Sequence, residues 1–307
     1  MNRDAPQIAV VGSSNMDLVV KSTRIPAVGE TILGGDFIMT PGGKGANQAV
    51  AAAKLGAEVY FIAKLGNDIF AEQSLNNFKK AGVNTEHVIQ TSEAPSGVAL
   101  IMVDDEGNNL IVVATGANQK LLPADVKRAE SDIASCGAVV AQLEVPLETI
   151  EFAAKMANDL KVPFILDPAP AQKLGAELLE MVDVLTPNET EAHILTGVEV
   201  TDEDSARTAA GNLLERGVKA VILTLGGKGF LLADHDKSRY VSAQKVDAVD
   251  STAAGDAFTG SLAVGIAENK SLLDAALFAN YVAALSVTKM GAQSSMPTLQ
   301  EVKDFMS

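Results

Sequence analysis

Asp250-Ser251-Thr252-Ala253-Ala254-Gly255-Asp256-Ala257-Phe258 is the stretch on which the reading of this chain turns. An extended segment, Val246-Asp247-Ala248-Val249, leads into it. Beyond it, Phe258, Leu262, Gly265 and Ile266 recur at spacings of three and four, which predicts a helix. Ala253, Ala254 and Gly255 therefore stand where a loop becomes a helix N-terminus. Such a terminus offers free backbone N–H groups and a partial positive charge, a setting that suits an anion. Asp256 falls in the first helical turn. A carboxylate repels phosphate, so its use there would be as a base that takes a proton from an attacking hydroxyl. An acid that only stabilises the helix dipole explains the same spacing.

Composition narrows the class. The chain has 307 residues, of which 47% are apolar, with 25 Gly and 11 Pro. That is globular, and long enough for a large α/β domain with an appendage. A formal charge of −15 argues against nucleic acid or an anionic membrane as the main partner. Any phosphate must then be held locally, by N–H groups, metal and a few cations. No run of about 18 apolar residues is present to span a bilayer, and Met1 to Pro6 carries no apolar signal core. The single cysteine, Cys136, excludes an internal disulfide framework. The expectation is a soluble, cytoplasmic protein.

Strands alternate with helices along most of the chain. Ile8–Val11 reads as a buried first strand ending at Gly12. Asn15 and Asp17 follow; in extended chain they face one side and could hydrogen-bond vicinal hydroxyls, or simply form a solvated turn. Gly97–Val103 and Asn109–Val113, joined by Asp104-Asp105-Glu106-Gly107-Asn108, predict a hairpin outside the alternation. Thr40-Pro41-Gly42-Gly43-Lys44-Gly45-Ala46-Asn47-Gln48-Ala49-Val50 is a glycine turn into a helix with Ala46, Ala49, Val50 and Ala53 as a packing face. It is not a phosphate-binding Walker loop, since Ile38 stands where the first glycine is required. Lys44 and Asn47 supply directed donors. Further on, Tyr60–Leu65 predicts a strand, Phe70–Ala81 and Pro123–Ser135 helices, and Val139–Glu144 a strand ending in a carboxylate. Glu144 either meets a ligand at a strand end or caps the next helix. Val162–Leu166 predicts another strand, followed by Asp167-Pro168-Ala169-Pro170-Ala171. Asn188 and Glu191 have the spacing of an N-cap and capping box. Ala220–Leu225 is a buried strand before Gly226-Gly227-Lys228-Gly229, with Arg239–Ser242 as its hairpin partner. Two final helices run from Asp256 to Glu268 and from Ser271 to Lys289. His87, His193 and His235 show no metal-ligand spacing.

Asp250–Phe258 and Thr40–Val50 together resemble the two signatures of the ribokinase-like (phosphofructokinase-B type) carbohydrate kinases. The likeness runs from Asn15 to Ser295. It implies a three-layer α/β/α, mostly parallel sheet in one domain, 1–307, with a small β-sheet lid from insertions at about 17–40 and 97–113. It implies ATP-dependent phosphorylation of D-ribose at the 5-hydroxyl. A related sugar such as 2-deoxyribose, and a non-catalytic sugar sensor, are the rival readings. By resemblance Asp256 is the base and Ala253, Ala254 and Gly255 form the anion hole. Asn15, Asp17, Gly43, Lys44, Asn47 and Glu144 would contact the sugar together with Asp256. Asn188, Glu191, Thr224, Gly226, Gly227, Lys228, Gly229, Gly255 and Asn280 would serve ATP and its Mg²⁺. Asp250, Thr252, Ser286, Lys289, Gly291 and Ser295 would hold an activating K⁺, and a homodimer would form through the lid. Two departures stand out: the family commonly has Gly at the position of Ala253 and Asn at that of Asp167.

Overall fold

A computed structural model describes residues 5–307. In chain order the elements are β1 (Gln7–Val11), β2 (Asn15–Lys21), β3 (Phe37–Gly42), α1 (Lys44–Lys54), β4 (Glu58–Gly66), α2 (Ile69–Ala81), β5 (Val88–Thr91), β6 (Gly97–Val103) and β7 (Asn109–Ala114). Then come α3 (Pro123–Lys127), α4 (Glu130–Ile133), β8 (Ala138–Ala141), α5 (Leu147–Leu160), β9 (Phe164–Leu166), α6 (Ala176–Glu180), β10 (Val184–Leu185), α7 (Glu189–Thr196) and α8 (Glu203–Glu215). The chain closes with β11 (Ala220–Thr224), β12 (Gly229–Asp234), β13 (Ser238–Ser242), α9 (Ala254–Ala267), α10 (Leu272–Ser286) and α11 (Leu299–Met306).

Nine strands form the main sheet in the order β13-β12-β11-β10-β9-β8-β1-β4-β5. Pairing is parallel from β11 to β5, and β12 and β13 add an antiparallel edge. The continuous apolar runs have their cause in burial on both faces. Ile8 and Val10 enter one core, Ala9 and Val11 the other. Helices α1, α2, α9, α10 and α11 pack on the first face and α3 to α8 on the second, so the expected three layers are present. Small residues let the layers close. A Cβ on Gly260 of α9 would lie 2.6 Å from the carbonyl oxygen of Gln48 on α1. This close crossing sets the polar side of α1 against the start of α9.

The second sheet has the order β3-β2-β6-β7 and is the expected lid. Its strands begin at Asn15 and end at Ala114, so Asn15 and Asp17 belong to the lid's base and not to the end of β1. Register places Leu18, Met39, Leu100 and Val112 on one face, and Asp17, Thr40, Ala99 and Val113 on the other.

Several expected boundaries change. Pro123–Ser135 is two short helices, because the backbone tightens where Ala129 N donates to Val126 O and buries Val126, Ala129 and Ile133 together. The strand expected to reach Glu144 stops at Ala141, where pairing with β1 and β9 ends. Pairing also starts the strand expected at Val162 only at Phe164. The partner of β11 across the glycine turn is β12; Arg239–Ser242 pairs with β12 instead. Helix α1 is buried almost all round, from Gly45 to Ala52, so it has no single packing face.

Candidate active site

The carboxyl ends of the parallel strands converge, which is where open α/β sheets place ligands. One cleft there is lined by Lys44, Asp167, Thr186, Asn188, Glu191, Thr224, Ser251, Ala253, Ala254, Gly255, Asp256 and Thr259. Positions more than 200 residues apart thus share one wall. Helix α9 starts at this cleft without any side-chain cap; Ala254 N–H donates to Ser251 O at 3.2 Å, and the Gly255 and Asp256 N–H groups remain for a ligand. Ala253, at the helix N-cap, adopts φ 60° and ψ 17°. This left-handed conformation suits glycine without cost and strains a residue with a Cβ. The departure at this position therefore places a Cβ on a backbone conformation that favours glycine.

Asp256 is buried, 4% exposed. Its Oδ2 accepts from Asn47 Nδ2 at 2.8 Å, and its Oδ1 from Gln48 Nε2 at 3.2 Å. Burial pushes its pKa up, while Lys44 and the two amide donors favour the ionised form needed by a base. Gln48 Nε2 also donates to Asp167 Oδ2 at 2.7 Å, and Gln48 Oε1 accepts from Gln142. Burial holds the Asp167 carboxyl well above the ordinary range. The second departure thus puts a carboxyl where one amide nitrogen ties it to Asp256. Lys44 is the one cation lining the cleft among the described residues. Burial opposes its charge, yet Asp256, Asp167, Glu144 and Glu191 keep its pKa above the ordinary lysine value.

Next to the cleft, the lid base supplies further polar groups. Glu144 accepts from the Ser13 hydroxyl and from Lys44 N–H at 3.1 Å, so it is tied to the α1 terminus rather than capping α5. Asp17 faces Gly42, where any Cβ would collide with its carboxylate. Burial, then Glu144 and Asp256, push the Asp17 pKa up to about 7. Gly43 has φ 91°, and a Cβ on it would lie 2.6 Å from Asn15 N. Glycine is required there twice over, by conformation and by contact.

Asn188 and Glu191 complete a reciprocal capping box, with Glu191 N donating to Asn188 Oδ1 and Asn188 N to Glu191 Oε2, both at 2.8 Å. Glu191 still lines the cleft, its pKa raised chiefly by burial. Gly226, Gly227, Lys228 and Gly229 form a turn outside this cleft, with Lys228 Nζ 3.4 Å from Glu189. Asn280 is also outside it and donates to Ser242 O at 3.0 Å. Asp250 joins its loop to another: Oδ1 accepts from Thr252 N at 2.9 Å and Oδ2 from Gly291 N at 2.8 Å. The Ser286 hydroxyl donates to Ala283 O within α10, the Ser295 hydroxyl donates to Ala292 O in its own loop, and Lys289 pairs with Glu301.

Ser13, Gln48, Asn118 and Gln142 escaped the reading of the sequence. Gln48 carried a signal: Lys44, Asn47 and Gln48 stand at i, i+3 and i+4 of an alanine-rich helix, hence on one face. The others sit in unrelated loops, and only the fold brings them together.

The class defined by this fold and site is an α/β phosphotransferase with a β lid. Residues 5–299 match the model of the pfkB family carbohydrate kinases. The chain is 45% identical over 299 residues to a ribokinase of Haemophilus influenzae, covering 97% of this chain and 98% of that protein. It is 40% identical over 301 residues to a deoxyribokinase of Salmonella typhi, covering 98% of each. The solved structure of Arabidopsis thaliana ribokinase complexed with ribose and ATP superposes with a TM-score of 0.92 at 34% identity, covering 99% of each chain. This chain belongs to the pfkB family of carbohydrate kinases.

Proposed function

We propose that the chain, acting as one catalytic unit, transfers the γ-phosphoryl group of ATP to the 5-hydroxyl of D-ribose. The observation that carries this reading is the Asp256 carboxylate, held by two amide donors beside an uncapped helix terminus in a cleft with Lys44. A binding protein has no use for a buried, oriented base there. Asn15, Asp17, Gly43, Lys44, Asn47 and Glu144 hold the sugar so that its primary hydroxyl meets Asp256. An alcohol is far less acidic than a carboxylic acid, so the proton passes to Asp256 late, after the new P–O bond has begun to form. The N–H groups of Ala253 to Asp256 receive the charge developing on the phosphoryl oxygens. Thr224, Gly226, Gly227, Lys228, Gly229 and Asn280 belong to the nucleotide side, and lid closure excludes water from the phosphoryl group.

Among the described residues no three His, Cys, Asp or Glu side chains gather to hold a metal by themselves. Mg²⁺ keeps waters and takes substrate phosphate oxygens as ligands. Asn188 and Glu191 would position it, and when bound it would supply neutralisation of phosphate charge. For K⁺, the Asp250 and Thr252 loop and the segment from Ser286 to Ser295 offer hydroxyl, carboxylate and carbonyl oxygens suited to a hard cation, with Lys289 and Gly291 contributing only carbonyls. A homodimer through the lid is supported by the exposed Phe37, Met39, Leu100, Leu110 and Val112 on one face of that sheet. A cytoplasmic setting agrees with the single, buried cysteine. Among the described residues no helix is long and apolar enough to cross a membrane.

2-Deoxyribose is the second substrate to consider, favoured by the deoxyribokinase relative. The test is ADP release with MgATP and ribose, 2-deoxyribose, fructose or adenosine, each in K⁺ and Na⁺ buffer. Ribose-selective turnover that rises with K⁺ is expected. Preference for another sugar moves the substrate, and intact sugar binding without turnover on any of them returns the sensor reading.

A further inference from the structure

Asn118 lies in the turn by which the chain leaves the lid, Gly116–Lys120, and is 1% exposed. Its Oδ1 accepts from the Ser14 backbone N–H at 2.9 Å. A backbone N–H only donates, so this bond fixes which end of the Asn118 amide is oxygen. Nδ2 must then be the end that donates, to Ser14 O at 3.1 Å and to the side chain of Asn15 at 2.8 Å. The Asn15 atom facing that donor is in turn its oxygen, Oδ1. Among the described residues Asn15 Nδ2 has no protein acceptor and is not enclosed, although the residue as a whole is only 4% exposed. The pair sits in a cage that admits no variation, since a Cβ on Gly97 would collide with both Asn15 Oδ1 and Asn118 Nδ2.

Resting on the sugar-kinase reading, we infer that Asn118 is a positioning residue that sets Asn15 as a donor toward one ring hydroxyl of the substrate. The amide of an asparagine has two ends of nearly equal shape, and a free Asn15 could present either. Asn118 removes that choice before the sugar arrives. The same three bonds join the entry of the lid at Ser14 and Asn15 to its exit at Gly116–Lys120, so the recognising amide is built into the lid's base.

The experiment compares the parent protein with Asn118→Asp on ribose, 2-deoxy-2-fluororibose and 3-deoxy-3-fluororibose. Fluorine can accept weakly but cannot donate. Asn118→Asp keeps the acceptor for Ser14 N–H and replaces the donor facing Asn15 by an acceptor, so Asn15 turns its oxygen to the ligand. Expected for the parent is retained turnover of the fluorosugar whose fluorine faces Asn15. In Asn118→Asp, kcat/KM for that sugar drops at least about tenfold more than for ribose, while kcat for ribose changes by less than about threefold. An unchanged fluorosugar-to-ribose ratio, or a parent that rejects both fluorosugars, overturns the inference. Should the variant fail to fold, ¹⁵N-asparagine-labelled parent protein decides. Ribose shifts the Asn15 side-chain amide signals and leaves those of Asn118 in place; unmoved Asn15 signals at ribose saturation overturn the inference. A parent that binds ribose without turning it over removes the kinase reading, and the amide signals still decide the role of Asn118.

Discussion

Replacing Asp17 by Asn tests the electrostatics of the lid base through stability alone. Burial and the neighbouring Glu144 and Asp256 raise the Asp17 pKa from 3.8 to about 7 in the folded protein. The unfolded carboxyl ionises near 3.8. Between these values the folded state binds more protons than the unfolded state, so the contribution of Asp17 to stability falls as pH rises. Each unit of difference corresponds to about 1.4 kcal/mol. From pH 5 to pH 8 the window covers the two units between 5 and 7, which predicts a loss of about 3 kcal/mol attributable to Asp17. Asn is close to isosteric and does not titrate, so Asp17→Asn escapes this loss. The assay is urea unfolding of the ligand-free protein, followed by circular dichroism at pH 5 and pH 8. The variant gains about 3 kcal/mol relative to the parent between the two pH values, whatever the offset at pH 5. Parallel pH dependence in the two proteins would refute the reasoning, because it would mean that Asp17 ionises freely at the lid base.

Asp256→Asn keeps the shape of the base and loses its function. Calorimetric titration should show both substrates still bound while kcat falls by about 10²- to 10⁴-fold, and near-normal turnover would remove Asp256 from the mechanism. Gln48→Ala deletes a donor to Asp256 Oδ1 that favours the carboxylate, so the acid limb of the kcat/KM profile moves to higher pH; an unmoved limb means that Gln48 does not tune the base. Ala253→Gly relieves a left-handed residue, and urea midpoints should report about 0.5–1 kcal/mol of added stability; a loss would show that the Cβ is not strained. Leu100→Glu puts a charge at the centre of the apolar lid face. Sedimentation should show the proposed homodimer dissociating to monomer, and a dimer unaltered by the charge, or a parent that is already monomeric, would overturn the lid interface.

The sequence by itself determined the layers, the lid and the principal suspects. Short apolar runs ending at a glycine, such as Ile8–Val11, read as strands buried on both faces, and the spacing of three and four after Asp256 reads as a helix. The Asp104–Asn108 turn marked a hairpin out of step with the strand–helix alternation. Local chemistry also fixed the Asn188–Glu191 capping box, which needs nothing but its own four residues. Strand ends were legible only approximately, because a strand stops where its neighbour's pairing stops; Ala141 ends β8 for reasons held in β1 and β9. The partners of the site depended wholly on tertiary structure. Gln48 meets Asp256 across 208 positions and Asn118 meets Asn15 across 103. No periodicity carries information over such separations. The close crossing at Gly260 and the cage at Gly97 create those meetings, because they let helices and loops approach until single amides bridge elements far apart in the chain.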